Sequence, residues 1–468
     1  MPEHRDVVFE EAEHVPAVTS PYAGKRLTMW DHIHLSAYWF ATNFLWGALL
    51  VIMLPGEIKK MVPSDRVAAV GLLTGLAAIV ALVVPLVVGE LSDRCAAKLG
   101  RRRPFMIVGI SVNLIGLLLM CLVYTSAKPV PPSGTDQYWG TIGYLLSNST
   151  FLEFLFAYII VQLGNNIASA AYSGVIPDLV PLDQRGVASG YMALMSQLGT
   201  LFGVVISGLV LGSLPEMIKY AVLGAGLVGL ALVTLLGIKE NPLPSAPPKI
   251  NWGLYIRSLW IDPKLHPDFA WVWLTRALVM LGFYSVLPFV NYYFVDVIHI
   301  EKPDKPASMM TGILLIASCV SGVYGGAISD KIGRKSVVYR ANFMIAVVAL
   351  AFIFCRSIPQ VLLAGSIFGL GYGAYISVDW ALGTDVLPNA KSAGKEMGIW
   401  HIAMTLPQTI AAPVASSLIV LFGSTPYTDS DGNPAVHYTI LGYASVFILC
   451  SACFALGAYL LKNVRGVK

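Results

Sequence analysis

The stretch of this sequence that decides the fold is Gly89-Glu90-Leu91-Ser92-Asp93-Arg94, followed after five further residues by Gly100-Arg101-Arg102-Arg103-Pro104. A second copy reads Gly326-Ala327-Ile328-Ser329-Asp330-Lys331-Ile332-Gly333-Arg334-Lys335. Each copy stands where a long apolar segment ends, and we name each a basic cassette. A loop that is repeated between apolar segments indicates that the whole bundle of segments is repeated.

The composition excludes an ordinary soluble protein. Of the 468 residues, 56% are hydrophobic and only 12% are charged, and the mean hydropathy is +0.69. A helix that crosses a membrane needs about 20 mainly apolar residues, and the sequence predicts twelve such spans. They cover residues 32–55, 66–91, 104–125, 150–176, 186–212, 216–238, 269–297, 307–329, 336–355, 359–385, 396–422 and 438–461.

The predicted spans fall into two halves of six. We expect a tail at 1–31, a first half at 32–238, a linker at 239–268, a second half at 269–461 and a tail at 462–468. A further repeat supports this division, because Asp178-Leu179-Val180-Pro181 after span 4 matches Asp385-Val386-Leu387-Pro388 after span 10. In the linker, Trp252, Ile256, Leu259 and Trp260 recur at helical spacing, which predicts a short amphipathic helix on the membrane surface.

The distribution of Lys and Arg predicts the orientation. The side that holds both termini and both cassettes has 21 of these residues and the opposite side has 8. By the positive-inside rule both termini lie in the cytoplasm. The first 31 residues show no apolar core with a cleavage site, so we expect the first span to drive insertion, and we expect an integral protein of the plasma membrane.

The pattern G-x-x-x-D-[RK]-…-G-R-[RK] of the cassettes resembles the loops between helices 2 and 3 and helices 8 and 9 of major facilitator superfamily transporters. The resemblance implies an all-α membrane protein with twelve helices in two pseudo-symmetric six-helix bundles, which alternate access to a site between them. It also implies a cytoplasmic gate, in which Asp93 would approach span 11 near Gly394, and Asp330 would approach span 5 near Gly186. The implied gate residues are Gly89, Asp93, Arg94, Arg101, Gly326, Asp330 and Arg334.

A narrower resemblance is to the plant sucrose–proton symporters, within the glycoside–cation symporter group. It rests on Ser92-Asp93-Arg94-Cys95 with the longer spacing to Gly100, on Gly164-Asn165-Asn166, and on Gly398-Ile399-Trp400-His401-Ile402-Ala403 followed by Leu406-Pro407-Gln408. Those symporters have a protonatable Asp where this chain has Gln162, and an Asn where it has His401. An amide does not exchange a proton near neutral pH, so any proton coupling must use another group.

Ionisable residues inside spans are costly and usually functional. Arg276, Asp379 and His401 fall in the second half at similar depth. Asp379 and Arg276 would favour each other's charged forms, and His401 could titrate near physiological pH. Two interpretations stay open: an ion-coupling or gating cluster, or a static ion pair that holds the half together.

Amide and aromatic residues in the predicted spans suit a neutral polyhydroxylated solute, because they combine hydrogen bonding with flat apolar surfaces for sugar rings. The alternative is hydrogen bonding between helices. The candidate substrate-binding residues are Asn43, Trp46, Gln162, Asn165, Asn166, Gln197, Tyr284, Tyr372, Tyr375 and Gln408.

Three functions compete. The first is an uptake transporter for a sugar or glycoside, coupled to a cation, with the proton as the expected ion. The second is a drug or metabolite exporter of the same fold, which is disfavoured because Val187 to Gly212 lacks the Gly-Pro pair usual in such exporters. The third is a sensor without transport activity.

No P-loop, metal cluster or catalytic triad is visible in the sequence, so we expect no enzyme activity, cofactor, metal or nucleic-acid partner. We expect a monomer whose partners are the solute, protons and lipid.

Overall fold

The computed structural model describes residues 20–135, 137–181, 184–243, 250–258, 261–300, 302–386, 393–428 and 434–465. Within these residues, twelve helices are long and apolar enough to cross a membrane. We number them spans 1 to 12: Met29–Met61, Arg66–Asp93, Arg103–Ser126, Ser149–Leu179, Val187–Val210, Glu216–Gly237, Pro267–Asp296, Asp304–Gly325, Arg334–Phe352, Ile358–Asp379, Ile402–Leu421 and Ile440–Asn463. The prediction of twelve spans is confirmed, with ends that shift by a few residues.

Several spans contain local changes of helix type or extend past their apolar part. Span 1 widens into a π-helical turn at Leu49–Met53, just before Pro55, whose ring removes a donor and crowds the preceding turn. Span 7 tightens into a 3-10 turn at Leu287–Phe289, around Pro288, for the same reason. Span 5 contains a π turn at Ile206–Val210. Span 4 is divided into two helices, Ser149–Ser173 and Val175–Leu179. The helices that contain spans 8, 10 and 11 extend beyond the apolar part and run Asp304–Ile332, Ile358–Asp385 and Ala393–Leu421.

The two ends of the bundle carry different accessory structure. Span 2 has 28 residues, so its ends lie about 40 Å apart. At the end that carries Arg66, strands Ser424–Thr428 and Pro434–Tyr438 pair antiparallel, and we name it the hairpin end. The opposite end, which carries Asp93, is the cassette end. Neither this hairpin nor the short helix Tyr138–Ser147 is predicted by the sequence pattern.

The two halves repeat one pattern of neighbours. In the first half, span 1 packs against spans 5 and 6, and span 4 packs against spans 2 and 3. In the second half, span 7 packs against spans 11 and 12, and span 10 packs against spans 8 and 9. The halves meet where span 2 contacts span 11 and span 5 contacts span 8, which are equivalent pairs under the repeat. The fold is therefore the predicted pair of pseudo-symmetric six-helix bundles.

Both cassettes use glycine at the same structural point. Gly100 has a φ of +101° and Gly333 has a φ of +90°, a region that residues with a Cβ rarely adopt. Each of these glycines directly precedes the basic run that leads into the next span, at Arg101 and Arg334. The conformation explains why the cassette needs glycine there in both halves.

The linker contains a helix at Trp252–Ser258, where an amphipathic helix was predicted. Its Tyr255 hydroxyl donates a hydrogen bond to the Leu86 carbonyl of span 2 at 3.1 Å, while Trp252 and Ile256 are exposed. Leu259 and Trp260, which were part of the prediction, lie outside the described residues.

Gly164 sets how closely spans 3 and 4 approach. A Cβ placed on it would lie 2.2 Å from the backbone nitrogen of Asn113. We expect Gly164→Ala to lower the free energy of unfolding by about 1–3 kcal/mol, since such overpacking forces the helices apart. The measurement is the melting temperature of the purified protein in detergent. Gly229→Ala in span 6, where no atom lies within 4 Å of the new methyl group, is the control, and equal melting temperatures for both variants would contradict the prediction.

Candidate functional site

The interface between the halves is closed at the hairpin end. A Cβ placed on Gly71 of span 2 would lie 2.1 Å from Ser416 Oγ of span 11, and one placed on Gly75 would lie 2.5 Å from Pro413 Cγ. The Tyr138 hydroxyl, from the short helix of the first half, also lies 2.9 Å from Ser416 Oγ. Helix contacts this close leave no passage between spans 2 and 11 at this end.

Toward the cassette end the same interface helices become exposed, over the part of the chain that the structure describes. The exposed apolar side chains include Val83 on span 2, Leu194 on span 5 and Val323 on span 8, which is 75% exposed. No atom lies within 4 Å of a Cβ placed on Gly89, near the end of span 2. In the part of the chain that the structure describes, the halves are therefore joined at the hairpin end and apart at the cassette end.

An ion pair between Arg66 and Asp296 joins the halves at the hairpin end, and both side chains are fully buried. The Tyr443 hydroxyl donates to Asp296 Oδ2 at 2.6 Å, and His437 Nδ1 lies 3.2 Å from Asp296 Oδ1. Arg66 also donates to the Val436 carbonyl of the hairpin at 2.7 Å. We name these five residues the hairpin-end clamp.

The sequence pattern alone does not predict the clamp. Arg66 and Asp296 stand at the ends of their spans, where charged residues are common and carry no functional signal. They are 230 residues apart in the chain, and only the packing of the halves brings them together.

The second half contains a buried ion pair between Arg276 of span 7 and Asp379 of span 10. Each residue is 2% exposed. The Tyr375 hydroxyl donates to Asp379 Oδ1 at 2.8 Å, and the Arg276 guanidinium lies 4.8 Å from the centre of the Trp400 ring. Hydrogen bonding and the cation–π contact thus hold both charges in place. The side-chain surroundings of His401 lie outside the described part of the structure.

Tyrosine side chains surround this pair. Tyr284, Tyr372 and Tyr375 all lie near Arg276. Tyr372 stacks on Phe283 with ring centres 4.3 Å apart and planes 6° apart. Tyr375, a candidate substrate-binding residue, is buried and uses its hydroxyl on Asp379, whereas Tyr284 and Tyr372 are half-buried.

The first half contains amide side chains that the sequence predicts as substrate-binding residues. On span 4, Asn166 Nδ2 donates to the Gln162 carbonyl at 2.8 Å and lies 3.1 Å from Gln162 Oε1. Thr42 Oγ1 donates to Asn165 Oδ1 at 2.5 Å, and Asn43 Nδ2 donates to the Trp39 carbonyl at 2.7 Å. These bonds show that part of the amide set serves contacts within the bundle.

The other candidate residues are only partly enclosed. Trp46 is half-buried and meets Tyr158 edge to face, with ring centres 6.2 Å apart. Gln197 on span 5 and Gln408 on span 11 are also half-buried, each on an interface helix. They therefore keep surface that a solute between the halves could contact.

The first cassette forms a charge network within its own half. Arg102 is ion-paired with Asp93 and, at 2.8 Å, with Asp178, while Arg101 contacts Asp178 at 2.7 Å and Arg94 contacts Glu90 at 2.5 Å. Burial opposes the charge on Arg102, but Asp93 and Asp178 outweigh it and raise its pKa. The network ties together the cassette ends of spans 2, 3 and 4.

Arg102 was not among the predicted gate residues, because three consecutive arginines look alike in a sequence. The predicted approaches of Asp93 to Gly394 and of Asp330 to Gly186 involve side-chain surroundings outside the described residues. Gly326 lies in the helix Asp304–Ile332, and its surroundings are likewise outside the described part. These approaches remain predictions.

Comparisons with known proteins agree on the fold. The model of the Major Facilitator Superfamily matches residues 35–394 and again residues 272–466. The multi-drug resistance efflux pump PmrA of Streptococcus pneumoniae is 26% identical over 365 residues, which cover 76% of this chain and 82% of the pump. The sucrose transport protein SUC4 of Arabidopsis thaliana is 22% identical over 439 residues, with 81% and 82% coverage.

Solved structures share the architecture. The crystal structure of a D-xylose–proton symporter superposes with a TM-score of 0.63 at 16% identity, covering 93% of this chain and 98% of the symporter. At that identity the likeness concerns the fold alone. The family match over most of the length, the duplicated cassettes and the two six-helix halves lead to one conclusion: the chain belongs to the major facilitator superfamily.

Proposed function

We propose that this transporter moves a small neutral polar solute of the sugar or glycoside class by alternating access, coupled to protons. The observation that carries the proposal is the pair of half-bundles joined at one end and apart at the other, with half-buried amides in one half and stacked aromatic rings in the other. Amides bond hydroxyl groups, and flat rings pack against the apolar faces of sugars. The similarity to a sucrose transport protein supports this solute class.

The excess of Lys and Arg on the side of the termini supports a cytoplasmic cassette end. The hairpin end would then face outward, and the arrangement of the halves is the inward-facing state of a transporter in the cell membrane. Solute would leave toward the cytoplasm in this state, as uptake requires.

The Arg276–Asp379 pair is the proposed ion-coupling element of the second half. It places a carboxylate between a guanidinium and a tyrosine hydroxyl, within the apolar part of the bundle. Protonation of Asp379 would break the pair and alter the contact between spans 7 and 10. A static structural pair is the competing role, and the two roles predict different behaviour of the variant Asp379→Asn.

Export is the second candidate function, and the similarity to PmrA favours it. Proteoliposomes distinguish the two directions. With the lumen more alkaline than the medium, we expect a labelled sugar to accumulate inside. We expect Gln197→Ala to raise the KM by roughly 5- to 150-fold, because a lost hydrogen bond to a solute costs about 1–3 kcal/mol.

The control for this measurement is Gln137→Ala, an exposed amide at the hairpin end. The same sugar panel with no accumulation, together with proton-driven extrusion of a cationic dye, would contradict uptake and support export.

A further inference from the structure

Glu57 is a buried carboxyl group that none of the roles above uses. It lies in the last helical segment of span 1, Leu54–Met61, and is 2% exposed. The Tyr220 hydroxyl of span 6 donates to Glu57 Oε2 at 2.8 Å. The other oxygen, Oε1, is buried and has no hydrogen-bond partner among the described residues.

The neighbouring cations are engaged by another carboxylate. Lys60 and Lys219 contact Glu216 Oε1 at 3.8 Å and 3.0 Å, and the Lys60 side chain is 67% exposed. Neither lysine forms an ion pair with Glu57. The charged or titratable groups that face this pocket are Lys59 and Lys60 on span 1, Cys121 and Tyr124 on span 3, Glu216, Lys219 and Tyr220 on span 6, and Asp304 on span 8.

This setting disfavours an ionised Glu57. Burying a carboxylate without a cation partner costs several kcal/mol, and an additional unbonded oxygen adds to that cost. The nearby carboxylate Glu216 adds repulsion. The neutral, protonated carboxyl is therefore the form that fits the closed hairpin end.

The segment around Glu57 is also part of the closure between the halves. The Tyr292 hydroxyl of span 7 donates to the Pro55 carbonyl at 3.0 Å. A Cβ placed on Gly56 would lie 3.9 Å from Asp304 Oδ1 of span 8. Separation of the halves at the hairpin end breaks the hydrogen bond between Tyr292 and Pro55, moves Asp304 away from Gly56 and admits water to this turn of span 1.

We propose that Glu57 is a proton-binding site whose protonated form stabilises the closed hairpin end, and that opening this end releases the proton to the water on that side. The inference rests on the proposed alternating access of the two halves. It links the proton gradient to closure of the hairpin end at a position in the first half, apart from the Arg276–Asp379 pair in the second half. The step moves one proton between the carboxyl group and water and needs no other reactant.

The test measures the separation of the halves without any solute. Spin labels are attached through Trp139→Cys in the first half, at a position that is 80% exposed, and Lys302→Cys in the second half, which is also exposed. Cys95 and Cys319, which are partly exposed, are replaced by serine. Pulsed EPR distances of the full chain in lipid nanodiscs are recorded between about pH 5 and about pH 9.

We expect the label distance to lengthen with rising pH, with a closed-to-open ratio that changes by up to about tenfold per pH unit for a single proton. Glu57→Gln, which stays neutral, should keep the short distance throughout. Glu57→Asp should retain a pH response. Glu153→Gln, which alters an exposed carboxylate at the hairpin end of span 4, is the matched control and should behave like the unaltered chain.

Tyr220→Phe provides a second test that does not depend on altering Glu57. The Tyr220 hydroxyl bond favours the ionised carboxylate, so its removal should extend the closed state to higher pH. The inference would be overturned if Glu57→Gln changed its label distance with pH as the unaltered chain does, or if the unaltered chain showed no change. It would also be overturned if Tyr220→Phe changed its label distance over the same pH range as the unaltered chain. A pH response that depends on Glu57 in a protein that transports no sugar would sink the proposed solute class and leave this inference standing.

Discussion

Asp379→Asn is expected to abolish solute uptake driven by a pH gradient. The substitution leaves Arg276 buried without its counter-ion, and breaking a buried pair from one side typically costs about 3–5 kcal/mol. Tyr375 loses the charged acceptor of its 2.8 Å hydrogen bond at the same time. Uptake of labelled sugar into proteoliposomes, at equal amounts of folded protein, is the measurement.

The same variant separates the two roles of the pair. If Asp379 couples transport to protons, Asp379→Asn still folds and exchanges labelled solute across the membrane without a gradient. If the pair is structural, the variant loses folded protein, and the double change Arg276→Gln with Asp379→Asn restores it, because no charge is then left unpaired. A well-folded Asp379→Asn that accumulates solute normally would falsify the coupling role.

Arg66→Met is expected to open the hairpin end. It removes the partner of the fully buried Asp296 and the bond from Arg66 to the hairpin carbonyl of Val436. Because these contacts require the halves to be joined, the loss of about 3–5 kcal/mol falls on the closed state and shifts the closed-to-open ratio by roughly 100-fold or more. The spin-label pair at positions 139 and 302 measures the shift.

A second arginine at the same end provides the control for that experiment. Arg356 is exposed, and its guanidinium group donates to the carbonyl groups of Ile353 and Cys355, which lie nearby in its own half. Arg356→Met should therefore leave the label distance unchanged. If Arg66→Met and Arg356→Met give the same distance distribution, the clamp does not hold the halves together.

The sequence predicts the features that depend on local pattern. The twelve spans and the repeated loop follow from hydropathy and motif alone. A long apolar segment predicts a helix, because in a membrane a helix satisfies all backbone hydrogen bonds within the segment itself. The sequence also predicts the Arg276–Asp379 pair, since charged residues deep inside a span need a partner. The ion pair is present, while the part of His401 in the same cluster remains a prediction.

The features that the sequence did not predict depend on where helices end and how the halves meet. Glu57 lies beyond the predicted end of the first span at residue 55, so it looked like a loop residue, although the helix continues to Met61. The hairpin contains Pro426 and Pro434, residues that argue against a strand in a sequence. Which of Arg101, Arg102 and Arg103 is buried depends on the position of Asp178 after folding.

The hairpin-end clamp has a consequence for how the protein is made. Arg66 leaves the ribosome 230 residues ahead of Asp296, a delay of roughly 10 to 50 seconds at ordinary rates of translation. During that time the guanidinium group is without its carboxylate and stays hydrated among the lipid head groups, at the boundary that long basic side chains reach. The first half therefore inserts before its interface can be neutralised, and docking of the late-synthesised half completes biogenesis.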